Sequence, residues 1–179
     1  VRLNLNTFGS VVSEEKMEQT DKLLGKAIKD LRDLSHNLQK NRIYDIGIVE
    51  SIRQLLQSLE KTGRYITSFQ TSDHYNLLDT NTDIILYRMI QEIVNNIIKH
   101  AAATKIDIEI NSEVDLTTIR ISDNGIGFDT ALLQKERAGI GLQNIINRAK
   151  TIDANVDVKS EQGKGTTITL YIKPKPSLL

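Results

Sequence analysis

From Ile46 to Lys173 the apolar residues switch repeatedly between helical and strand spacing, and this alternation limits the available folds more than any other feature. Ile48, Ile52, Leu55, Leu56 and Leu59 share one side of a helix that Thr62-Gly63 would end, and Tyr65 to Gln70 reads as a strand. Thr80 to Asp83 carries N-cap chemistry before a second helix that reaches about Ala102. Lys105 to Asn111 and Leu116 to Ser122 alternate as strands, Asp123 to Phe128 is a glycine-bearing loop, and Gly141 to Ile152 is helical. Val156 to Ser160 and Thr166 to Ile172 form a closing hairpin around Glu161 to Gly165. This order predicts an α+β fold, a two-layer sandwich with a mixed, mostly antiparallel sheet, rather than a doubly wound one.

Ahead of it, Met17, Leu24, Leu31 and Leu38 recur by sevens with Thr20, Ala27 and Leu34 between them, which predicts a heptad helix over Glu14 to Gln39 packed on partner helices. We expect two domains, residues 1–42 and 43–179. The 23 basic residues balance 23 acidic ones, so no charged field favours nucleic acid or an anionic membrane, and a charged ligand must be held locally. The absence of cysteine excludes disulfides, thiolate metal sites and thiol nucleophiles, and fits a reducing compartment such as the cytoplasm. No apolar run approaches the roughly 20 residues of a membrane helix. The start at Val1, without a methionine, suggests a fragment of something longer.

Four clusters carry candidate chemistry. On the helix that ends near Ala102, Glu92, Asn96, Lys99 and His100 lie one turn apart on a face away from Leu86, Ile90, Ile93 and Ile97. A carboxylate, an amide and a cation there could supply a base, a neutral magnesium ligand and a phosphate contact, although a solvated helix face looks the same. In Asp123-Asn124-Gly125-Ile126-Gly127-Phe128 the glycines allow close approach of the backbone and the carboxylate could read a donor such as the adenine amino group; a hairpin turn uses similar residues. Gly139-Ile140-Gly141-Leu142 precedes a helix whose free N–H groups could meet phosphate, with Thr130 to Ala138 as a polar lid. Gly163-Lys164-Gly165-Thr166 reads as a hairpin turn. Neither DNGIGF nor GIGL has the spacing of a dinucleotide or P-loop fingerprint.

Taken in order, the four clusters resemble the boxes of the GHKL ATPase superfamily, whose members include histidine kinases, gyrase, Hsp90 and MutL. Glu92 to Ala101 resembles the N box, and DNGIG, GIGL and GKGT resemble the three glycine boxes. The short gap between DNGIGF and GIGL, together with the Asn-x-x-Lys-His-Ala ending, resembles sensor histidine kinases of the NarL-partnered class. Leu31 to Leu38 is similar to the end of the second helix of their dimerisation hairpin.

The resemblance implies the Bergerat-type ATP-binding fold with ATP and Mg2+ as cofactors, a response regulator as partner and a homodimer formed through the hairpin. Membrane attachment is expected only through upstream segments. It implies that Asp123 bonds adenine, that Gly125 and Gly127 shape its pocket, and that Asn96 ligates Mg2+ with Lys99 or His100 near the phosphates. Glu92 would orient or deprotonate the attacking imidazole; Gly139, Gly141 and Leu142 would flank the triphosphate, and Thr166 would stand at the pocket wall. The family's phosphoacceptor is a His followed by an acidic residue, whereas here Asn37 follows His36, Tyr75 follows His74 and Ala101 follows His100. We therefore expect the acceptor to lie outside this chain and the chain not to autophosphorylate. The alternatives are a non-catalytic ATP-binding or dimerisation module and an anti-sigma-type serine kinase.

Overall fold

The chain divides into two compact units, Val1–Asn41 and Arg42–Leu179. A computed structural model describes residues 43, 45–72, 79–130 and 140–173, all in the second unit. The expected heptad helix, His36, His74, Gly139 and nearly all of the expected lid lie outside the described residues.

The first helix, α1, covers residues 45–60 and buries Ile48, Ile52, Leu56 and Leu59, leaving Leu55 partly exposed at the core's edge. It ends where predicted: the Thr62 amide bonds the Leu59 carbonyl at 3.0 Å and Gly63 takes φ +68°. Strand β1 (Ile66–Thr71) follows. Helix α2 spans Thr80–Asn96 and is capped by Asp79, one residue before the predicted stretch. The Asp79 carboxylate accepts the Asn81 and Thr82 amides at 3.1 Å each, satisfying two otherwise orphaned donors.

The predicted helix does reach Ala101, but not as a plain α-helix. After Asn96 it continues as a π-helical turn, Ile97–Ala101, and Ala102 then takes the left-handed conformation at φ 48°. A π turn takes in an extra residue, so Lys99 and His100 do not keep the angular spacing that α periodicity assigns them relative to Glu92.

Strands β2 (Lys105–Ser112), β3 (Thr117–Asp123), β4 (Asn155–Glu161) and β5 (Gly165–Ile172) complete a sheet of order β1-β2-β3-β5-β4, with helix α3 (Ile140–Thr151) between β3 and β4 in sequence. Among the described strands β1 and β2 pair in parallel and the other pairs are antiparallel, as the mixed-sheet expectation requires. Alternation sends Ile106, Ile108, Ile110, Ile119, Ile121, Ile168, Leu170 and Ile172 into one core with the buried faces of α1, α2 and α3. The opposite face is polar and includes a two-pronged Arg120–Glu109 pair, both contacts at 3.1 Å, which its exposure makes worth little in stability. No helix among the described residues is long and apolar enough to cross a membrane.

Candidate functional site

The site starts at the end of β3, because Asp123 is that strand's last residue and lies opposite Thr166, the second residue of β5. Asp123 is 9% exposed, and its Oδ1 accepts the Gly125 amide at 2.7 Å. Burial pushes its carboxyl pKa above the ordinary value, and the Gly125 and Thr166 backbone amides oppose that rise only in part.

The loop after Asp123 is pinned on both sides. The Ile126 amide donates to the Ala101 carbonyl at 2.8 Å, and the Ile126 carbonyl accepts the Gly163 amide at 2.7 Å. Close approach explains the glycines: a Cβ on Gly125 would lie 2.2 Å from the Ala101 oxygen, and one on Gly127 2.1 Å from the Glu161 oxygen. Gly165, at φ +85°, would bring a Cβ to 2.0 Å from the Asp123 carbonyl oxygen. DNGIG, GKGT and the end of the α2 helix thus meet without side chains between them.

The GIGL segment joins them through Gly141. A Cβ there would stand 2.8 Å from Glu92 Oε1, 2.9 Å from Asn96 Oδ1 and 3.0 Å from Asn96 Nδ2, so the start of α3 lies directly against both half-buried side chains of α2. Leu142 packs against the core beside this contact, while Lys99 and His100 are exposed on the π turn. All the expected site residues except Gly139, which lies outside the described residues, therefore fall on the α2 helix and its π turn, the DNGIG loop, the head of α3 or the β4–β5 hairpin.

The structure adds residues that the motifs did not single out. Asn124 Oδ1 accepts the Thr104 and Lys105 amides at 2.9 and 2.8 Å and its Nδ2 donates to Thr104 Oγ1 at 3.0 Å, holding the segment after Ala102 to the DNGIG loop. Ser160 Oγ touches Thr166 Oγ1, the Gly165 carbonyl and the Phe128 amide. Neither role could be read from local spacing, since the partners lie 19 and 20 residues from Asn124, and Phe128 lies 32 from Ser160.

Residues 81–176 match the family model described as histidine kinase-, DNA gyrase B- and HSP90-like ATPase. The chain belongs to this ATPase family. The chain is 31% identical over 147 residues to the sensor histidine kinase MctS of Rhizobium johnstonii, covering 82% of this chain and 32% of that protein. It is 26% identical over 160 residues to the sensor histidine kinase ComP of Bacillus subtilis, covering 89% of this chain and 21% of that one. The chain thus spans a third or less of each of these relatives. Among solved structures, the blue-light activated histidine kinase of Erythrobacter litoralis EL346 superposes with a TM-score of 0.64 at 14% identity, over 87% of this chain and 51% of that one. The Acinetobacter baumannii histidine kinase AdeS does so with a TM-score of 0.60 at 16% identity, over 93% and 86%. At these identities the superpositions speak for the fold of the ATPase domain.

Proposed function

We propose that this chain is the ATP-binding catalytic part of a two-component sensor histidine kinase, which moves the γ-phosphoryl group of ATP to a histidine on a dimerising hairpin and from there to a response regulator. The observation that carries this reading is the position of Gly141 against both Glu92 and Asn96, on the same helix whose C-terminal π turn holds the loop after Asp123 through the Ala101 carbonyl.

The residues suit both ends of a nucleotide. Ionised Asp123 is a buried acceptor for the adenine amino group, and the glycines at 125 and 127 let the loop that carries it pack directly on the Ala101 and Glu161 backbone. At the other end Gly141, in the first turn of α3, lies against the Glu92–Asn96 pair, so phosphate held there would lie close to that helix's N-terminal N–H groups, with the exposed Lys99 or His100 as the cation we assign to it. Mg2+, when bound, neutralises charge on the phosphate oxygens. Among the described residues no three His, Cys, Asp or Glu side chains gather to hold a metal by themselves, so Asn96 Oδ1 is the protein ligand we assign to a cation held otherwise by phosphate and water.

Glu92 then takes the imidazole N–H proton as the ring nitrogen attacks the γ-phosphorus and the bond to the ADP oxygen breaks. The cytoplasm supplies the ATP and the regulator, and any membrane anchor belongs to segments beyond this chain. Residues 1–42 serve as the dimerising part. A non-catalytic nucleotide module has no need of Glu92 beside Asn96, and nothing in the site favours it.

Calorimetric titration of the full chain with ATP and Mg2+ tests the proposal. The parent protein binds; Asp123→Asn binds at least tenfold more weakly. Equal affinity in the two proteins removes the adenine assignment, and no heat in either removes the nucleotide.

A further inference from the structure

The Ser160 hydroxyl is the meeting point of three hydrogen bonds. The Phe128 amide donates to its Oγ at 2.8 Å, its Oγ donates to the Gly165 carbonyl at 3.0 Å, and Thr166 Oγ1 lies 2.9 Å away. A serine hydroxyl has one hydrogen and two lone pairs. The Gly165 carbonyl can only accept, so it takes Ser160's single hydrogen. The contact with Thr166 must then be made by the Thr166 hydrogen, and the two lone pairs of Ser160 are filled by Thr166 and by the Phe128 amide. Nothing is left over on Ser160, and the direction of every bond is fixed.

The consequence falls on Thr166, which is half-buried beside Asp123 in the β3–β5 register. With its hydrogen committed to Ser160, Thr166 faces a ligand only as an acceptor. Asp123, when ionised, is also an acceptor only. From this hydrogen inventory we infer that Ser160 is a specificity-determining residue that never touches the ligand: it holds the Thr166 hydroxyl in the acceptor sense, so that the base end of the pocket takes a purine edge bearing an amino donor and rejects one bearing a carbonyl at the same place.

This inference rests on the ATP reading and deepens it. Ser160 reaches Thr166 directly because the two residues pair across β4 and β5 next to the turn, on the strand that stands at the edge of the described sheet. Without Ser160 the Thr166 hydroxyl can rotate and donate, and a carbonyl-bearing base then finds a partner. A site whose buried acceptors are left unpaired by the wrong edge discriminates strongly, and one that can rotate a hydroxyl to meet that edge does not.

The test compares ATP with inosine triphosphate, which has the same ribose and triphosphate but a carbonyl in place of the 6-amino group. Both are titrated with Mg2+ into the full chain, as wild type, Ser160→Ala, Ser160→Thr and Thr166→Val, with Tm measured for each. Wild type is expected to prefer ATP. Ser160→Ala is expected to reduce the ATP:inosine triphosphate affinity ratio about tenfold, mainly by gaining affinity for the inosine nucleotide. Ser160→Thr, which restores a hydroxyl with the same inventory, is expected to recover the ratio. A merely structural role would weaken both nucleotides together and leave the ratio alone, and that result overturns the inference. Should Ser160→Ala fail to fold, Thr166→Val decides: it removes the acceptor, so an unchanged ratio again overturns the assignment. If wild type binds neither nucleotide, the ATP reading fails, and this inference with it; if it binds ATP and the ratio ignores Ser160, only the inference fails.

Discussion

At the scale of single residues, Asp123 joins two requirements that oppose each other. Its carboxylate is costly to bury, which is why its pKa is raised, yet only the ionised form presents two acceptor oxygens to a ligand. Because the folded-state pKa is raised, the favourable contribution of the protonated group is present at pH below the ordinary value and is lost as pH rises through the folded value. Ligand affinity has the opposite sign: ATP binding should weaken as pH falls through the raised pKa, a trend that calorimetry across that acidic range would register. Asp123→Asn removes the buried charge and keeps an oxygen for the Gly125 amide, so it should abolish most binding without lowering Tm. A Tm drop as large as the binding loss would mean that Asp123 is structural.

The glycines give a second contrast. Gly141→Ala meets only the flexible ends of Glu92 and Asn96, so the protein should fold with Tm changed by a few degrees while ATP affinity falls about tenfold or more. Gly165→Ala meets the Asp123 backbone and carries the strain of φ +85°, and should cost about 2–4 kcal/mol, visible in urea unfolding. Were both variants equally destabilised, the division between functional and structural glycine would be wrong.

At the scale of elements, strands and helices were legible wherever burial imposed a period. Ile106, Ile108 and Ile110 alternate because β2 has one buried face, and Leu86, Ile90, Ile93 and Ile97 recur because α2 and the π turn that follows it bury a broad face in the core. The same logic missed the π turn, since Ile-Ile-Lys-His-Ala has no side-chain signature that separates π from α winding; the turn ends with the Ala101 carbonyl accepting the Ile126 amide from the DNGIG loop. It also missed Asn124 and Ser160, whose partners are brought close only by the finished sheet. The candidate site was therefore legible as a set of motifs, but its hydrogen-bond directions were not. Asn124→Ala should loosen the joint between the π turn and the DNGIG loop, lowering stability by about 1–3 kcal/mol and weakening ATP binding in parallel, whereas Asn124→Asp, which keeps the Thr104 and Lys105 amide bonds, should lie between it and wild type.

At the scale of the whole molecule, a domain built to hold a nucleotide should be stabilised by it. At a free concentration one hundred times Kd, ATP with Mg2+ should add about 2.7 kcal/mol to the unfolding free energy, read as a rise in Tm of several degrees by scanning calorimetry. Phosphotransfer is a separate matter: incubated with radiolabelled ATP, the chain should incorporate no acid-labile phosphate, because none of its three histidines is followed by an acidic residue. Label on His36 would overturn that expectation.

The single parallel pair of strands has a mechanical consequence. Strands running the same way cannot be joined by a tight turn, so the link from β1 to β2 passes through α2, and the helix bearing Glu92 and Asn96 is tethered at both ends to neighbouring strands of one sheet. Asp123 hangs from the next strand over, so the residues proposed to hold the base and those proposed to meet the phosphates are carried by one sheet. In such an arrangement the spacing between the two proposed contacts would act as a ruler, set when the chain folds.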